Sequence, residues 1–254
     1  MPCYDCHAHL ADPRVLPSLT ATLSEATDHG VCGILANAAR LSEWPAIIEM
    51  SQHQPVLGAL GLHPFFLDEW SADVPDRLED ALQEHERIRA VGEIGLDFYE
   101  GRDDLPKQVE VFAAQLDVAV RLNKPVVFHN RKSWNEFFTA LRNTGPVQGA
   151  CHHFSGSLET ARQALDTGLF LSFCGPLTYA NARRLKEAAR YTPLDRILTE
   201  TDTPDLPPEQ HRGEQSRPHH VHWVVTEIAR VKGITPDDVS AAVEANFTGL
   251  FGKP

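Results

Sequence analysis

The 254-residue sequence predicts the α/β fold class, as a (β/α)8 barrel formed by a single domain over residues 1–254. Short apolar segments recur along the chain, and stretches of helical periodicity separate them. Strands that alternate with helices pair in parallel through right-handed crossovers, so eight such units in about 250 residues match a closed barrel. No linker rich in glycine, serine or proline divides the chain. A doubly wound open sheet is the alternative.

Eight short apolar runs are the predicted strands. They cover residues 3–7, 32–36, 56–61, 88–93, 125–129, 148–152, 169–173 and 196–201. The run that begins at Pro125 is continuously apolar, which is typical of a parallel strand buried on both faces.

The predicted helices lie between these runs. Apolar residues recur on one helical stripe over 105–122 and again over 221–231. A last helix is predicted from Pro236 to about Leu250, because Thr235 offers a hydroxyl cap and acids follow near the positive end of the helix dipole. The proline-rich stretch 203–218 is predicted to be a long loop after the eighth strand.

Composition limits the functions that the chain can have. The net charge of −12 argues against broad electrostatic adhesion to nucleic acid or to an anionic membrane. Carboxylates that carry metal ions can reverse the local field, so a nuclease acting at a strand end stays possible. No apolar run approaches the roughly 18 residues that cross a bilayer, and five cysteines without an export signal favour reduced thiols. We therefore expect a cytoplasmic protein with no membrane partner.

The first predicted strand carries a metal-ligand pattern. Alternation along a strand places His7 and His9 on one side, where two neutral imidazoles can hold a divalent ion. Asp5 shares that side and is expected to orient one of the imidazoles. A short HxH is common in proteins, and the pattern gains weight from similar residues elsewhere in the chain.

Acids and imidazoles lie where six of the predicted strands end. Active sites of (β/α)8 barrels form at these carboxyl ends, and core packing gives no reason to put such side chains there. The residues are His7 and His9, His63, Glu93, His129 with Arg131, His152 with His153, and Glu200 with Asp202.

Each of these residues has a functional and a purely structural interpretation. Glu93 emerges between glycines, where a carboxylate can bridge two cations or simply accept a loop hydrogen bond. His129 suits a metal ion and Arg131 suits an anion; their structural alternatives are a core histidine and a surface arginine. Asp202 can be a metal ligand or a general base, and its structural alternative is a helix cap.

The sequence leaves three further assignments open. His152 and His153 point to opposite faces of a regular strand, so only one is expected at the site; we predict His152, with His153 as its replacement. Glu200 is expected to support a ligand rather than to bind the ion. His219 and His220 could approach the barrel mouth from the long loop.

The ordered motifs resemble the TatD family of metal-dependent hydrolases. They are DxHxH at 5–9, GLHP at 61–64, GEIGLD at 92–97, PVxxHxR at 125–131, HxFSG at 152–156 and ETD at 200–202. The similarity covers essentially the whole chain. It implies a TIM barrel in which one or two divalent cations, such as Zn, Mn or Mg, are held by His7, His9, Glu93, His129, His152 and Asp202.

The resemblance also implies a substrate class. Family members are deoxyribonucleases that often act from a 3′ end, so the expected function is phosphodiester hydrolysis by a metal-activated water on single-stranded or end-frayed DNA. His63 and Arg131 would contact the substrate phosphate. Phe65 departs from the family pattern, since histidine is common after GLHP, and this difference bears on substrate choice.

Two other functions are compatible with the same residues. A metal-dependent amidohydrolase or deacylase would attack a carbonyl on a small substrate, although some of those enzymes bridge their metals with a carboxylated lysine where this chain has Glu93. A non-enzymatic metal-binding partner protein would close the ion off with four ligands, whereas six candidates around a mouth leave room for water and substrate. No obligate protein partner is implied.

Overall fold

In the computed structural model, which describes residues 1–101 and 104–254, eight parallel strands form one sheet in chain order. The strands are β1 Cys3–Ala8, β2 Val31–Asn37, β3 Val56–Leu60, β4 Ile88–Asp97, β5 Val126–Arg131, β6 Gly149–Cys151, β7 Phe170–Phe173 and β8 Ile197–Thr199. Every neighbouring pair from β1–β2 to β7–β8 is parallel. The predicted (β/α)8 barrel is confirmed.

Helices follow the strands and cover the outside of the sheet. They are α1 Leu19–Asp28, α2 Trp44–Ser51, α3 Val74–Glu84, α4 Leu105–Arg121, α5 Trp134–Thr144, α6 Leu158–Asp166, α7 Arg183–Tyr191, α8 Val221–Lys232 and α9 Pro236–Phe251. The last helix begins as predicted, because the Thr235 hydroxyl accepts a hydrogen bond from the backbone N–H of Asp238 at 3.2 Å. Within the described residues, no helix combines the length and the apolarity needed to cross a membrane.

The barrel closes where the first strand meets the chain that leaves the eighth. The N–H of His9 donates to the carbonyl of Thr203 at 2.8 Å, and the N–H of Asp202 donates to the carbonyl of His7 at 2.9 Å. A parallel bridge joins Ala8 to Thr203. Closure therefore brings the residues that follow β8 beside the HxH of β1.

The fourth strand is longer than predicted. It continues past Glu93 to Asp97, because it stays paired with β5 through Gly95 opposite His129 and Asp97 opposite Arg131. This pairing needs a glycine, since a Cβ on Gly95 would lie 1.9 Å from the carbonyl oxygen of His129. The extension places the carboxylate of Asp97 at the mouth of the barrel.

Two buried glutamines of α4 support the strand exits from behind. Gln115 accepts from the N–H of Leu62 at 2.7 Å and donates to its carbonyl at 3.1 Å. Gln108 makes the same two-bond contact with the backbone of Asp97, with both distances 2.8 Å. One helix face thereby satisfies the backbone beside His63 and at the end of β4, where pairing between β3 and β4 has stopped.

We predict that Gln115→Met lowers the free energy of unfolding by about 2–4 kcal/mol, because both buried polar groups of Leu62 lose their partners while side-chain volume is kept. Urea denaturation of the two proteins measures the difference. Gln83→Met on the exposed face of α3 is the matched control and should change stability by less than about 0.5 kcal/mol. Equal effects of the two substitutions would contradict the supporting role of Gln115.

Candidate metal centre

The carboxylate of Glu93 lies at the centre of the barrel mouth, almost fully buried. One extra residue of β4 stands between Val91 and Ile94 relative to the paired segment of β5, and such a bulge re-aims the side chain that it carries. Each of the two carboxylate oxygens faces a different set of imidazoles. The site therefore has two donor groups that share one side chain.

The first donor group surrounds Oε2 of Glu93. The Nε2 atoms of His7 and His9 lie 3.3 and 3.4 Å from this oxygen and 3.1 Å from each other. Oδ1 of Asp202 lies 3.5 Å from His7 Nε2 and 3.4 Å from His9 Nε2. Four ligands at about 2.1 Å from a tetrahedral centre are about 3.4 Å apart, so these spacings fit one transition-metal ion.

The second donor group surrounds Oε1 of Glu93. His129 Nδ1 lies 2.7 Å from this oxygen, His152 Nε2 lies 2.9 Å from it, and the two nitrogens are 3.3 Å apart. His63 Nε2 is 3.5 Å from the same oxygen. The structure thus brings together all six side chains that the sequence predicted as ligands, together with His63.

In His9 and His129, one ring nitrogen makes a hydrogen bond away from the centre. That bond leaves the lone pair on the other nitrogen, which faces the centre. His9 Nδ1 lies 3.2 Å from the carbonyl of Asn37, which can only accept, so the proton belongs on Nδ1. His129 Nε2 lies 2.8 Å from Oδ2 of Asp97, which leaves Nδ1 for an ion. Both residues have the chemistry of metal ligands.

His63 has the opposite arrangement. Its Nδ1 accepts from the N–H of Phe65 at 3.1 Å, so in the neutral ring the proton is on Nε2, which points into the site. Burial, and then the charge of His129, lower the pKa of His63 well below its usual value and keep the ring neutral. A protonated Nε2 donates a hydrogen bond and has no lone pair for a cation.

An unpaired buried oxygen gives an independent test of whether an ion fits. Oδ1 of Asp202 is buried, and among the described residues its nearest polar neighbours are Nε2 of His9 and of His7 at 3.4 and 3.5 Å, too long for a well-formed hydrogen bond. Burial opposes its ionisation, but the neighbouring imidazoles, His9 first, outweigh that effect and lower the pKa of Asp202. The oxygen is therefore an anionic donor, and a cation in the first donor group would satisfy it.

The concentration of charge also shifts the imidazoles. Burial lowers the pKa of His9, but Asp202 and Glu93 raise it to about 9 overall. Burial likewise opposes the ionisation of Glu93, yet His152 and the other imidazoles hold its pKa well below the usual value. Without an ion, protons thus balance the buried carboxylates.

The buried carboxylates behind the donors have distinct contacts. Glu200 accepts from the N–H of His153 at 2.6 Å and lies 3.5 Å from Nδ1 of His152. The expectation that Asp5 orients an imidazole ring is wrong. It accepts from the hydroxyl of Thr201 at 2.6 Å and from the N–H of His7 at 3.2 Å, so it holds the backbone of the closing strands. Burial raises the pKa of Asp5 to about 8.

Asp97 is the site residue that sequence reasoning missed. It belongs to the GEIGLD motif and has the same strand parity as Glu93. That parity predicts a side chain on the same face of the strand only if β4 is taken to continue as far as Asp97. Its role in orienting His129 depends on the pairing of β4 with β5.

Several of the other candidates lie outside the two donor groups. His153 adopts a left-handed conformation with φ of 41° and lines the cavity beside the centre. His219 and His220 stack on His29 and His211, respectively, instead of approaching the mouth. Asp202 is not a helix cap, because the chain after it remains a loop until a short turn at Glu209–His211.

A cavity of about 830 Å³ opens above the centre and is large enough for a nucleotide. Arg131 lines it, with its guanidinium 3.5 Å from the ring centroid of Tyr99. On the opposite wall, Arg14 donates to both Asp12 and Asp205 at 2.8–2.9 Å and links the loops after β1 and β8. Charged side chains, Arg131 and the Arg14–carboxylate cluster, therefore line the cavity.

Comparison with known proteins agrees with this geometry. The family model described as TatD related DNase matches residues 4–252. The chain is 32% identical over 257 residues to the uncharacterized metal-dependent hydrolase YabD of Bacillus subtilis, with 98% of each chain covered. It is 33% identical to the uncharacterized metal-dependent hydrolase YcfH of Escherichia coli, with 97% of this chain and 94% of YcfH covered.

A solved structure is similar over the same length. The crystal structure of YjjV, a TatD homolog from Escherichia coli K12, superposes with a TM-score of 0.94 at 28% identity, covering 99% of this chain and 98% of YjjV. The family match over nearly all residues, the curated relatives and the shared barrel lead to one conclusion. The chain belongs to the TatD family of metal-dependent hydrolases.

Proposed function

We propose that the protein is a deoxyribonuclease that hydrolyses phosphodiester bonds and removes nucleotides from the 3′ end of single-stranded or frayed DNA. The observation that carries the proposal is the division of the Glu93 carboxylate, with Oε2 among His7 and His9 and Oε1 among His129 and His152. A carboxylate shared by two donor groups is the arrangement needed for two cations, which in phosphodiester-cleaving sites lie about 3.5–4 Å apart.

The proposed ligand set follows from the donors. His7, His9 and Asp202 would hold one ion, His129 and His152 the other, and Glu93 would bridge them. Divalent ions bound there, whether Zn, Mn or Mg, supply Lewis acidity to a phosphoryl oxygen and lower the pKa of water. Asp202 is ionised at neutral pH and lies at the cavity, so it is placed to accept the proton of the attacking water.

The proposed phosphate contacts come from the opposite side of the centre. His63 presents a protonated Nε2 toward Glu93, so it can donate to a non-bridging oxygen without competing for a cation. Arg131 is stacked on Tyr99 at 3.5 Å, and this contact fixes the plane of the guanidinium. Among residues 1–101 and 104–254 the guanidinium has no ion pair, so its N–H edge can donate to an anion. Both side chains line the cavity.

The direct test uses a 5′-labelled single-stranded oligonucleotide with added Mn or Mg. We expect products shortened one nucleotide at a time from the 3′ end, loss of activity with EDTA, and a loss of roughly 10²-fold or more in His129→Ala. His53→Ala, which removes an exposed histidine, is the matched control and should cleave normally. Hydrolysis of acyl esters in place of DNA would overturn the proposal in favour of carbonyl chemistry.

A second prediction concerns the shared carboxylate. Glu93→Gln keeps the shape of the side chain but removes the charge that faces both donor groups, so kcat/KM for the oligonucleotide should fall roughly 10²–10⁴-fold. Metal content, measured by mass spectrometry on the purified variant, should fall as well. Glu187→Gln on the exposed face of α7 should alter neither quantity. Full activity of Glu93→Gln would refute the bridging role.

A third prediction follows from the raised pKa of His9. Because its pKa is about 9 in the metal-free site, the ring is protonated at neutral pH and a cation must displace that proton. Affinity for Mn should therefore rise from pH 6 to pH 8. Calorimetry in buffers of different ionisation enthalpy should detect proton release, and His9→Gln should release about one proton fewer. Binding without proton release would contradict this assignment.

A further inference from the structure

Phe65 presents an exposed aromatic face at the edge of the centre. The side chain is 55% exposed and lines the cavity. Its ring centroid lies 4.6 Å from that of His63 and 6.1 Å from that of His129. The backbone that carries it is held, because Pro64 is buried and the N–H of Phe65 donates to His63 Nδ1 at 3.1 Å. A fixed, exposed ring beside the reacting centre is available to a ligand.

A second aromatic group lies beside the same centre. Tyr99 is 51% exposed, and its N–H donates to Oδ1 of Asp97 at 2.8 Å. Asp97 also contacts His129, so one carboxylate positions both the donor ring and the start of the loop that bears Tyr99. Arg131 lies over the Tyr99 ring.

We propose that Phe65 is the stacking platform for the nucleobase next to the scissile phosphate, with Arg131 on Tyr99 holding that phosphate. The proposal rests on the proposed function and names the part of the substrate that this chain recognises. The Phe65 ring centroid lies 6.1 Å from that of His129, so a base on Phe65 would be one sugar away from a phosphate at the donor groups. A base on an exposed ring gains stacking energy whatever its identity, since every base has a π-face.

Alternative explanations of Phe65 fit the contacts less well. A structural phenylalanine would be buried, yet more than half of this side chain is exposed. Its neighbour Phe66 shows the difference, because Phe66 is less exposed and lies under the guanidinium of Arg40 at 3.8 Å. A small phosphoester without a base would leave the face of Phe65 in water, so the ring favours a nucleotide as the ligand.

The inference predicts an affinity that depends on the base and on the ring together. Calorimetry on the Mn-loaded protein should show deoxyadenosine 5′-monophosphate binding roughly 5- to 100-fold more tightly than 2-deoxyribose 5-phosphate. Phe65→Leu keeps an apolar side chain but removes the π-face, so it should abolish most of this difference. Phe65→Trp should preserve it. Tyr191→Leu, which alters a 48% exposed aromatic at the end of α7, should bind like the unaltered protein.

Kinetics provide the second measurement. With an oligonucleotide, Phe65→Leu should raise KM by a similar factor and change kcat much less; with a 3′-terminal abasic residue, Phe65→Leu and the unaltered protein should be equal. Equal binding of the two monophosphates to the unaltered protein would overturn the inference even if DNA is cleaved. A third outcome separates the two proposals. If the unaltered protein binds the base-bearing monophosphate more tightly, Phe65→Leu removes the difference and no DNA is cleaved, then the base-stacking subsite is supported and the nuclease activity is refuted.

Discussion

The structure depends on keeping one ionised carboxylate, Glu93, buried among imidazoles. Burial of an isolated charge is strongly unfavourable, and here the opposing effect comes from the surrounding rings and from any cation that they hold. Around it, His7 of β1, His129 of β5 and His152 directly after β6 all face its two oxygens. The glycines that flank it in β4 allow the backbone to approach its neighbours closely enough for both oxygens to be used.

A surrounding layer of polar groups determines what each donor can do. Asp97 and the carbonyl of Asn37 place the protons of His129 and His9 away from the centre, while the N–H of Phe65 places the proton of His63 toward it. Identical side chains thus present different groups to the centre, a lone pair in His9 and His129 and an N–H in His63. The glutamines of α4 extend this support to the helical layer.

The mouth offers a way for a chain with a net charge of −12 to bind the anionic polymer that we propose as its substrate. Long-range attraction does not favour such a substrate, so the proposed recognition is local and would come from bound cations, from Arg131 and from stacking. Arg14 is engaged by two carboxylates, whereas Arg131 is stacked on a ring and has no ion pair within the described part of the chain. Arg14 therefore links two loops of the cavity wall, and Arg131 is the arginine that we propose for substrate binding.

The order of strands, the barrel and the positions of donors at strand exits could be predicted from the sequence, because apolar periodicity and residue chemistry are local properties. His7 with His9, Glu93 and His129 were all placed at the mouth in this way. Other features depend on contacts between residues distant in the chain. The extension of β4 to Asp97 needs the pairing with β5, and the partner of Asp5 is Thr201, which arrives only through barrel closure. The choice between His152 and His153, and the tautomer of each ring, follow from backbone turns and hydrogen bonds that no linear pattern encodes.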